Sequence, residues 1–310
     1  MIDKPRILLV GGNGFLGTHL AQSLLNRWDV RIFDRPRNLL VAADNVRTGV
    51  VGSGSEMDAA MDGCEAIIYL IHETGSSPYL DSERQSLTRN MDLFLTTMAS
   101  AEKCGVKKIA LYSSGGAVYG IPQKLPVCEN HPIRPISAYG VAKASMELYL
   151  HSAAHSKGIQ YLILRPSNPY GPGQHPLRKQ GVIPIFINKI LKGEPLEIWG
   201  NGNLCKDYIF VKDLTMITAA LLSMEWENKA YNIGSGHGTS LLTIIQTIEQ
   251  ITQKAAITNF MPPRSTDVPE IVLDTSRVSQ RTGICPCTSL ADGIGATVEW
   301  LKPLLNDRPG

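Results

Sequence analysis

The chain has 310 residues, enough for one large hydrophobic core or for a core with a smaller appended lobe. Its hydrophobic fraction of 43% and charged fraction of 19% are ordinary for a globular protein, and a net charge of +2 gives no electrostatic basis for binding nucleic acid or an anionic membrane. No apolar run is long enough to cross a bilayer, and the six cysteines lack the spacing of metal ligands. We therefore expect a soluble, cytoplasmic protein without a bound metal.

The N-terminal segment predicts a strand, a glycine-rich turn, a helix and a second strand. Residues 7–10 form an apolar run typical of a strand buried on both faces of a parallel sheet. An amphipathic helix follows to about Arg27, and residues 30–33 predict a second strand that ends at Asp34. The turn before the helix has glycines at the spacing of a dinucleotide-binding fingerprint, Gly11, Gly14 and Gly17.

This turn and the acid after the second strand predict a dinucleotide site. Glycines let the backbone turn tightly and let a pyrophosphate approach the free N–H groups at the start of the helix, which begins with Phe15 and Leu16. Asp34 suits both hydroxyls of the adenosine ribose and would repel a 2′-phosphate. Arg35 and Arg37 lie close by and weaken that discrimination. We expect NAD as the cofactor and leave NADP open.

Strands and helices continue to alternate as far as Pro166. This alternation predicts an α/β fold, a Rossmann-type doubly wound parallel sheet with right-handed crossovers. Ligands of such sheets lie beyond the carboxyl ends of the strands, and Ser113 and Pro166 follow two of those ends. The predicted elements are strands at 66–71, 108–112 and 160–164 and helices at 90–104 and 139–155.

Proline and glycine recur from residue 168 to residue 203, which predicts a change of architecture. We divide the chain into a Rossmann domain at 1–167 and a smaller substrate-binding lobe at 168–310. Two segments of the lobe, near 207–213 and 230–234, are expected to return to the main sheet.

Tyr139 and Lys143 are the strongest candidates for catalysis. Four residues apart, they share one face of the predicted helix. A phenol is a poor base at neutral pH, but an ammonium group or an oxidised nicotinamide nearby lowers its pKa. Tyr139 would then accept a proton from a substrate hydroxyl while hydride leaves the same carbon. The alternative is that the pair is an ordinary feature of an amphipathic helix.

These residues together resemble the extended short-chain dehydrogenase/reductase family, and within it the UDP-glucose 4-epimerase-like enzymes. The resemblance covers nearly the whole chain, and the order and spacing of its motifs are more specific than any one motif. The motifs are the glycine turn with Asp34, Asn90, residues 113–120, Tyr139 with Lys143, residues 165–171, residues 206–209 and Arg264.

The resemblance implies NAD-dependent epimerisation of a UDP-hexose or UDP-N-acetylhexosamine. In such enzymes the sugar C4 hydroxyl is oxidised, with Tyr139 as the base and Lys143 bound to the cofactor ribose. The 4-keto sugar then rotates about its diphosphate, and the hydride returns to the opposite face. A homodimer is also implied, formed by the helices at 90–104 and 139–155. Further implied contacts are Asn90, Ser113 and Pro166 to the cofactor, Asn168, Lys206 and Arg264 to the diphosphate, and Val272 beside the sugar C2 substituent.

Departures from the family pattern leave other activities open. Gly115 stands where the family has a catalytic Ser or Thr, so Ser114 is the candidate for that hydroxyl. Residues 115–117 also lack the acid and base of sugar dehydratases. The alternatives are a nucleotide-4-keto-sugar reductase or dehydratase of the same family, and a non-catalytic NAD(H)-binding sensor or scaffold.

Overall fold

A computed structural model of the chain describes residues 4–35, 46–49, 53–73, 83–176, 181–263 and 268–306. Its strands are β1 (Arg6–Val10), β2 (Asp29–Asp34), β3 (Val46–Thr48), β4 (Ala66–Tyr69), β5 (Lys108–Tyr112), β6 (Gln160–Pro166), β7 (Asn168–Tyr170), β8 (Leu196–Trp199), β9 (Cys205–Phe210), β10 (Lys229–Ile233), β11 (Gly238–Ser240), β12 (Thr258–Met261) and β13 (Glu270–Ile271).

The helices alternate with these strands through most of the chain. They are α1 (Phe15–Leu24), α2 (Gly54–Met61), α3 (Glu83–Lys103), α4 (Ala138–Lys157), α5 (Val182–Lys192), α6 (Val211–Leu222), α7 (Leu241–Thr252), α8 (Ser276–Thr282) and α9 (Leu290–Asn306). Within the described ranges, no helix is both long and apolar enough to span a membrane.

The main sheet has seven parallel strands in the order β10-β6-β5-β4-β1-β2-β3. Its central strands are apolar along their length because helices cover both faces. One face packs against α1, α6 and α8 through Leu20, Ile217 and Val278. The other packs against α2, α3 and α4 through residues such as Phe94 and Met146. The predicted Rossmann-type doubly wound α/β fold is confirmed.

The smaller lobe is built around two short sheets. In the first, β9 lies between β11 and β13 and also pairs with β7; in the second, β8 pairs with β12. Helices α5, α7 and α9 enclose a separate apolar core with these sheets.

The two segments expected to return to the main sheet behave differently. β10 pairs in parallel with β6 at the edge of the main sheet, so the segment near 230–234 lies there. The prediction for 207–213 is wrong, because the described partners of β9 are β7, β11 and β13, all in the lobe. The chain instead returns as a helix: α6 begins at Val211 and packs against α1 over the main sheet.

Candidate active site

The glycine-rich turn joins β1 to the start of α1. Gly11 has a φ of +86°, which favours glycine, and its N–H donates to Phe33 O at 2.8 Å. A Cβ on Gly17 would overlap the carbonyl of Gly12, so glycine is needed for close packing of helix on strand. Among the described residues, the nearest atom to a Cβ on Gly14 would be Gly11 O at 3.6 Å. Packing within the protein therefore does not require glycine at 14, whereas close approach of a pyrophosphate to the helix N-terminus does.

A cleft of about 330 Å³ opens above this turn at the carboxyl ends of the central strands. Asp34 is buried on its wall; its Oδ2 accepts from Asn13 N at 3.0 Å and its Oδ1 accepts from Arg35 N at 2.7 Å. Each carboxylate oxygen has a second lone pair for a ribose hydroxyl. The chain segments on the wall are the glycine turn, the start of α1 with Phe15 and Leu16, residues 70–73 and residues 173–175. The N–H groups at the start of α1, the Asp34 carboxylate and a turn without bulky side chains are together suited to binding NAD.

Asn90 contributes to the cleft indirectly. Its side chain is fully buried, with Oδ1 accepting from Glu73 N at 2.8 Å and Nδ2 donating to the carbonyls of Glu73 at 2.9 Å and Ser86 at 2.8 Å. These bonds hold the backbone that forms the cleft wall. Asn90 was expected to contact the cofactor, but its side-chain amide forms these hydrogen bonds with the backbone of Glu73 and Ser86 instead.

Tyr139 lies in the first turn of α4, and Lys143 lies one turn further along. The helix starts at an N-cap, Ser137, whose Oγ accepts from Gly140 N at 3.1 Å. Lys143 is buried, and its Nζ donates to Tyr112 O at 2.7 Å and Ile71 O at 3.4 Å. Burial lowers the pKa of Lys143 to about 7, although the Glu147 carboxylate raises it. The ammonium group is thus tied to the ends of β5 and β4.

The expectation that Lys143 lowers the pKa of Tyr139 is wrong for the protein alone. Burial raises the pKa of the Tyr139 phenol, and a hydrogen bond with the Ser114 side chain opposes that increase. Activation of Tyr139 therefore needs a further positive charge, as oxidised nicotinamide provides.

Ser114 is the hydroxyl that the fold brings to Tyr139. A Cβ on Gly115 would lie 2.6 Å from Leu273 Cδ1 and 3.0 Å from Arg165 O, so this position has no room for a serine or threonine. Ser113, expected to contact the cofactor, donates its hydroxyl to Glu147 in the interior. The two neighbouring serines therefore have different partners.

A buried polar network holds this loop against α4. Glu147 forms an ion pair with Arg165, with an Nη2–Oε2 distance of 2.6 Å, and both side chains are almost inaccessible to solvent. Arg165 also donates to the hydroxyl of Tyr119 at 2.8 Å, and that hydroxyl donates to Asn232 Oδ1 at 2.7 Å. The network connects α4, β6 and β10 directly below the site.

Two residues near the site were missed by sequence reasoning. The ring of His72 lies edge-on to the ring of Tyr139, with centroids 4.4 Å apart. Burial lowers the pKa of His72 to about 3, and the charge of Lys143 adds to the effect. His72 Nδ1 is buried and has no hydrogen-bond partner among the described residues. Gln174 lines the dinucleotide cleft and a second cavity beside it. Neither belongs to a motif that would have identified it.

The second cavity, of about 360 Å³, is lined by residues of the smaller lobe, from β7, β9 and the start of α5 among others. Two residues predicted to contact the diphosphate, Asn168 and Lys206, line this cavity. Asn168 Nδ2 donates to Asp207 O at 2.7 Å. Its Oδ1 lies 4.0 Å from the point where a Cβ on Gly116 would stand, and Ser114 Oγ lies 3.9 Å from the same point. Asn168 on the wall of the cavity therefore lies close to Ser114, with Gly116 beside both.

Two other predicted residues lie elsewhere, and a third is outside the described residues. Pro166 ends β6, and its carbonyl accepts from Gly115 N at 2.8 Å. Val272 lines neither cavity; a Cβ on Gly238 would lie 3.0 Å from its Cγ2. Arg264 is outside the described residues.

The fold and the Tyr139–Lys143 site define a dinucleotide-dependent enzyme of the extended short-chain dehydrogenase/reductase type. Residues 7–234 match the NAD dependent epimerase/dehydratase family, and the chain belongs to that family. The resemblance inferred from the motifs is confirmed, and NAD is the cofactor.

Several relatives are similar over most of the chain. A putative UDP-glucose 4-epimerase of Methanocaldococcus jannaschii is 33% identical over 307 residues, covering 96% of this chain and 98% of that protein. The crystal structure of Thermotoga maritima UDP-glucose 4-epimerase with UDP-glucose superposes with a TM-score of 0.89 at 32% identity, covering 97% of this chain and 99% of that one. The dTDP-4-dehydro-6-deoxyglucose reductase of Escherichia coli is 38% identical over 198 residues, covering 64% of this chain and 62% of that enzyme.

Proposed function

We propose that the protein is an NAD-dependent nucleotide-sugar 4-epimerase that acts on a UDP-hexose or UDP-N-acetylhexosamine. The observation that carries the proposal is the pairing of Tyr139 with Ser114 between residues of the two cavities. The Tyr139 ring packs against His72 of the dinucleotide cleft, and Ser114 lies close to Asn168 of the second cavity. Full-length similarity to UDP-glucose 4-epimerases supports the sugar nucleotide as substrate.

In the proposed reaction, Tyr139 moves a single proton. As phenolate it accepts the proton of the C4 hydroxyl while the C4 hydrogen leaves with its electron pair, and it returns the proton when hydride is added to the opposite face. NAD, when bound, supplies the hydride acceptor and a positive charge that favours the phenolate. Ser114 donates a hydrogen bond to Tyr139, and Lys143 orients the cofactor ribose. No net oxidation results.

The second cavity is the proposed site of the sugar nucleotide. The ammonium group of Lys206 suits a diphosphate, because phosphate oxygens form charge-assisted hydrogen bonds. Asn168 and Gln174 supply amide groups on the side nearer the cofactor cleft. Arg264 remains proposed as a second cation for the diphosphate on sequence grounds alone. Val272 remains proposed beside the sugar C2 substituent on sequence grounds alone.

The test is turnover of a panel of UDP- and dTDP-sugars by the purified protein, with the configuration at C4 determined by NMR. An epimerase converts UDP-glucose or UDP-N-acetylglucosamine to the C4 epimer without consuming added NAD(H). A substrate deuterated at C4 should retain the label at C4 in the product, because the same hydride returns. Binding of NAD without turnover of any sugar nucleotide would contradict the proposal.

A 4-keto-sugar reductase is the second candidate, favoured by the similarity to the E. coli reductase. It would use the same Tyr139 but deliver hydride to an incoming ketone. Stoichiometric oxidation of NADH by a dTDP-4-keto sugar, with no C4 epimerisation of UDP-sugars, would favour this activity.

We also propose a homodimer formed through α3 and α4, which pack side by side on one face of the main sheet. Apolar side chains are exposed there: Leu95 is 40% exposed on α3, and Val141 and Leu148 are 37% and 65% exposed on α4. Val141 and Leu148 are seven residues apart and share a helix face. Apolar exposure on adjacent helices is typical of an isologous interface.

A further inference from the structure

A buried carboxylate lies between two arginines on the wall of the dinucleotide cleft. Glu73 Oε1 is 3.4 Å from Arg35 Nη1, and Glu73 Oε2 is 3.4 Å from Arg89 Nε. The Glu73 side chain is 8% exposed, whereas the arginines are 46% and 45% exposed. All three residues line the same cleft as Asp34. Each guanidinium group thus reaches the cleft while its charge is paired with Glu73.

The position of Glu73 does not depend on its own charge. Asn90 binds both the N–H and the C=O of residue 73, at 2.8 Å and 2.9 Å, and is itself fully buried. These bonds are to the backbone, so they remain when the carboxylate is replaced by an amide. The charge of Glu73 can therefore be removed with the wall of the cleft left in place.

Asp34 and Arg35 place this cluster at the adenosine end of the cofactor site. An acid in the position of Asp34 binds the ribose hydroxyls of NAD, whereas an arginine close to it accommodates the 2′-phosphate of NADP. Arg35 directly follows Asp34, and Arg89 approaches from α3. Considered alone, the two arginines would make the cleft suitable for NADP.

We propose that Glu73 is a determinant of the preference for NAD over NADP. Its carboxylate occupies N–H donors of Arg35 and Arg89 that a 2′-phosphate would need. It also adds a second negative charge near Asp34, and a phosphate dianion at that point would be repelled by both. NAD has only a hydroxyl at this position, so the paired arginines do not affect its binding.

The proposal is tested by measuring the dissociation constants of NAD⁺ and NADP⁺ by calorimetry for the wild type and for Glu73→Gln. We expect the ratio of the NADP⁺ to the NAD⁺ dissociation constant to fall by about tenfold or more, because charge-assisted hydrogen bonds to the phosphate become available. NAD⁺ affinity should change much less. The gain in NADP⁺ affinity should decrease with added salt, as expected for half-exposed cations.

Two variants control for charge and for the arginines. Glu65→Gln makes the same change of charge at a surface ion pair with Lys108 and should leave the ratio of dissociation constants unchanged. Adding Arg89→Gln to Glu73→Gln should cancel most of the gain. Adenosine 2′-phosphate and adenosine 5′-phosphate, used as competitors, distinguish recognition of the 2′-phosphate from a general effect on anions.

An unchanged ratio in folded Glu73→Gln would overturn the proposal. Equal weakening of NAD⁺ and NADP⁺ would overturn it too, because Glu73 would then be needed only for the shape of the cleft. If Glu73→Gln does not fold, Glu73→Ala in the otherwise wild-type chain decides, because it also removes the carboxylate and leaves both arginines in place. The proposal again requires the ratio of dissociation constants to fall by about tenfold, and an unchanged ratio contradicts it. These binding measurements do not depend on which sugar is turned over.

Discussion

Tyr139 is the residue on which the proposed chemistry depends most directly. Tyr139→Phe removes only the hydroxyl, so we expect kcat to fall by about 10²–10⁴-fold, the usual cost of losing an acid/base group. NAD⁺ affinity should change little. The matched control is Tyr149→Phe on the same helix, whose ring packs against Phe94 away from the cleft. Retention of more than a few per cent of the rate in Tyr139→Phe would show that another group moves the proton.

Ser114 and Ser113 are adjacent but have different partners, which makes them a paired test. Ser114→Ala should lower kcat with little change in KM, because its hydroxyl bonds to Tyr139. Ser113→Ala should instead lower the melting temperature, because Glu147 loses a buried hydrogen bond. The comparison is made by steady-state kinetics and thermal unfolding of both variants. The reverse pattern would assign the catalytic hydroxyl to Ser113.

His72 lines the cleft beside Tyr139 and carries a buried nitrogen without a partner among the described residues. His72→Phe preserves a ring against Tyr139 but removes both nitrogens. We expect NAD⁺ affinity to fall by about threefold to tenfold, the worth of one neutral hydrogen bond, with the melting temperature maintained. Because the pKa of His72 is about 3, the effect should be constant from pH 6 to pH 9. Unchanged NAD⁺ affinity would show that Nδ1 does not contact the cofactor.

Helix α4 contains Lys143, whose pKa in the folded protein is lowered to about 7 by burial, against an ordinary value of 10.5. Between these values the unfolded chain binds more protons than the folded one, so this residue makes stability rise with pH. Below pH 7 the ammonium is charged in both states and the cost of burying it is fully present.

We therefore expect the unfolding free energy of the wild type to increase relative to that of Lys143→Met as the pH is raised from 7 to 9.5. The expected increase is on the order of 1 kcal/mol for each pH increment of one within this window, because a tenfold difference in proton affinity between the two states corresponds to about 1.4 kcal/mol. Urea denaturation of the two proteins at each pH measures the difference between their unfolding free energies. Groups that titrate in the same way in both proteins do not contribute to this difference. A difference independent of pH would mean that Lys143 keeps its ordinary pKa when folded.

At the scale of elements, the N-terminal half could be predicted from local signals. The strand before Gly11, the close packing at Gly17 and the acid at Asp34 are determined by neighbours in the sequence. Strand β9 was assigned to the wrong sheet because its local sequence is compatible with either sheet. Only its pairing with strands distant in sequence decides which sheet it joins. Leu273, which is distant in sequence, occupies the space that a side chain at position 115 would need. The sequence could therefore show that Gly115 departs from the family pattern, but not why.

The contacts of the candidate site were less predictable than its residues. The spacing of Tyr139 and Lys143 indicated a shared helix face, but it did not reveal that Lys143 is tied to two carbonyls. Asn90 was assigned to the cofactor because of its place in a motif, whereas its amide binds the backbone of Glu73. Such partners depend on side-chain directions fixed only after the helices have packed.

At the scale of the whole molecule, the proposed dimer depends on the exposed apolar residues of α3 and α4. Leu148→Glu places a charge in the centre of this surface, so we expect it to convert the dimer to a monomer. Light scattering after size-exclusion chromatography measures the mass. The control is Met216→Glu, which changes another exposed apolar residue, 41% accessible on α6. A monomeric wild type, or a Leu148→Glu protein that stays dimeric, would contradict the proposed interface.

The edge strand β10 is synthesised late, after the chain has passed through β7, β8 and β9 of the smaller lobe. Yet Tyr231 and Ile233 of this strand are buried in the same core as β1, and α6 covers that core. When the first 167 residues leave the ribosome, the sheet therefore still lacks an edge strand and a covering helix. A chain that ended at residue 167 would therefore expose the apolar surface that β10 and α6 cover in the full-length protein.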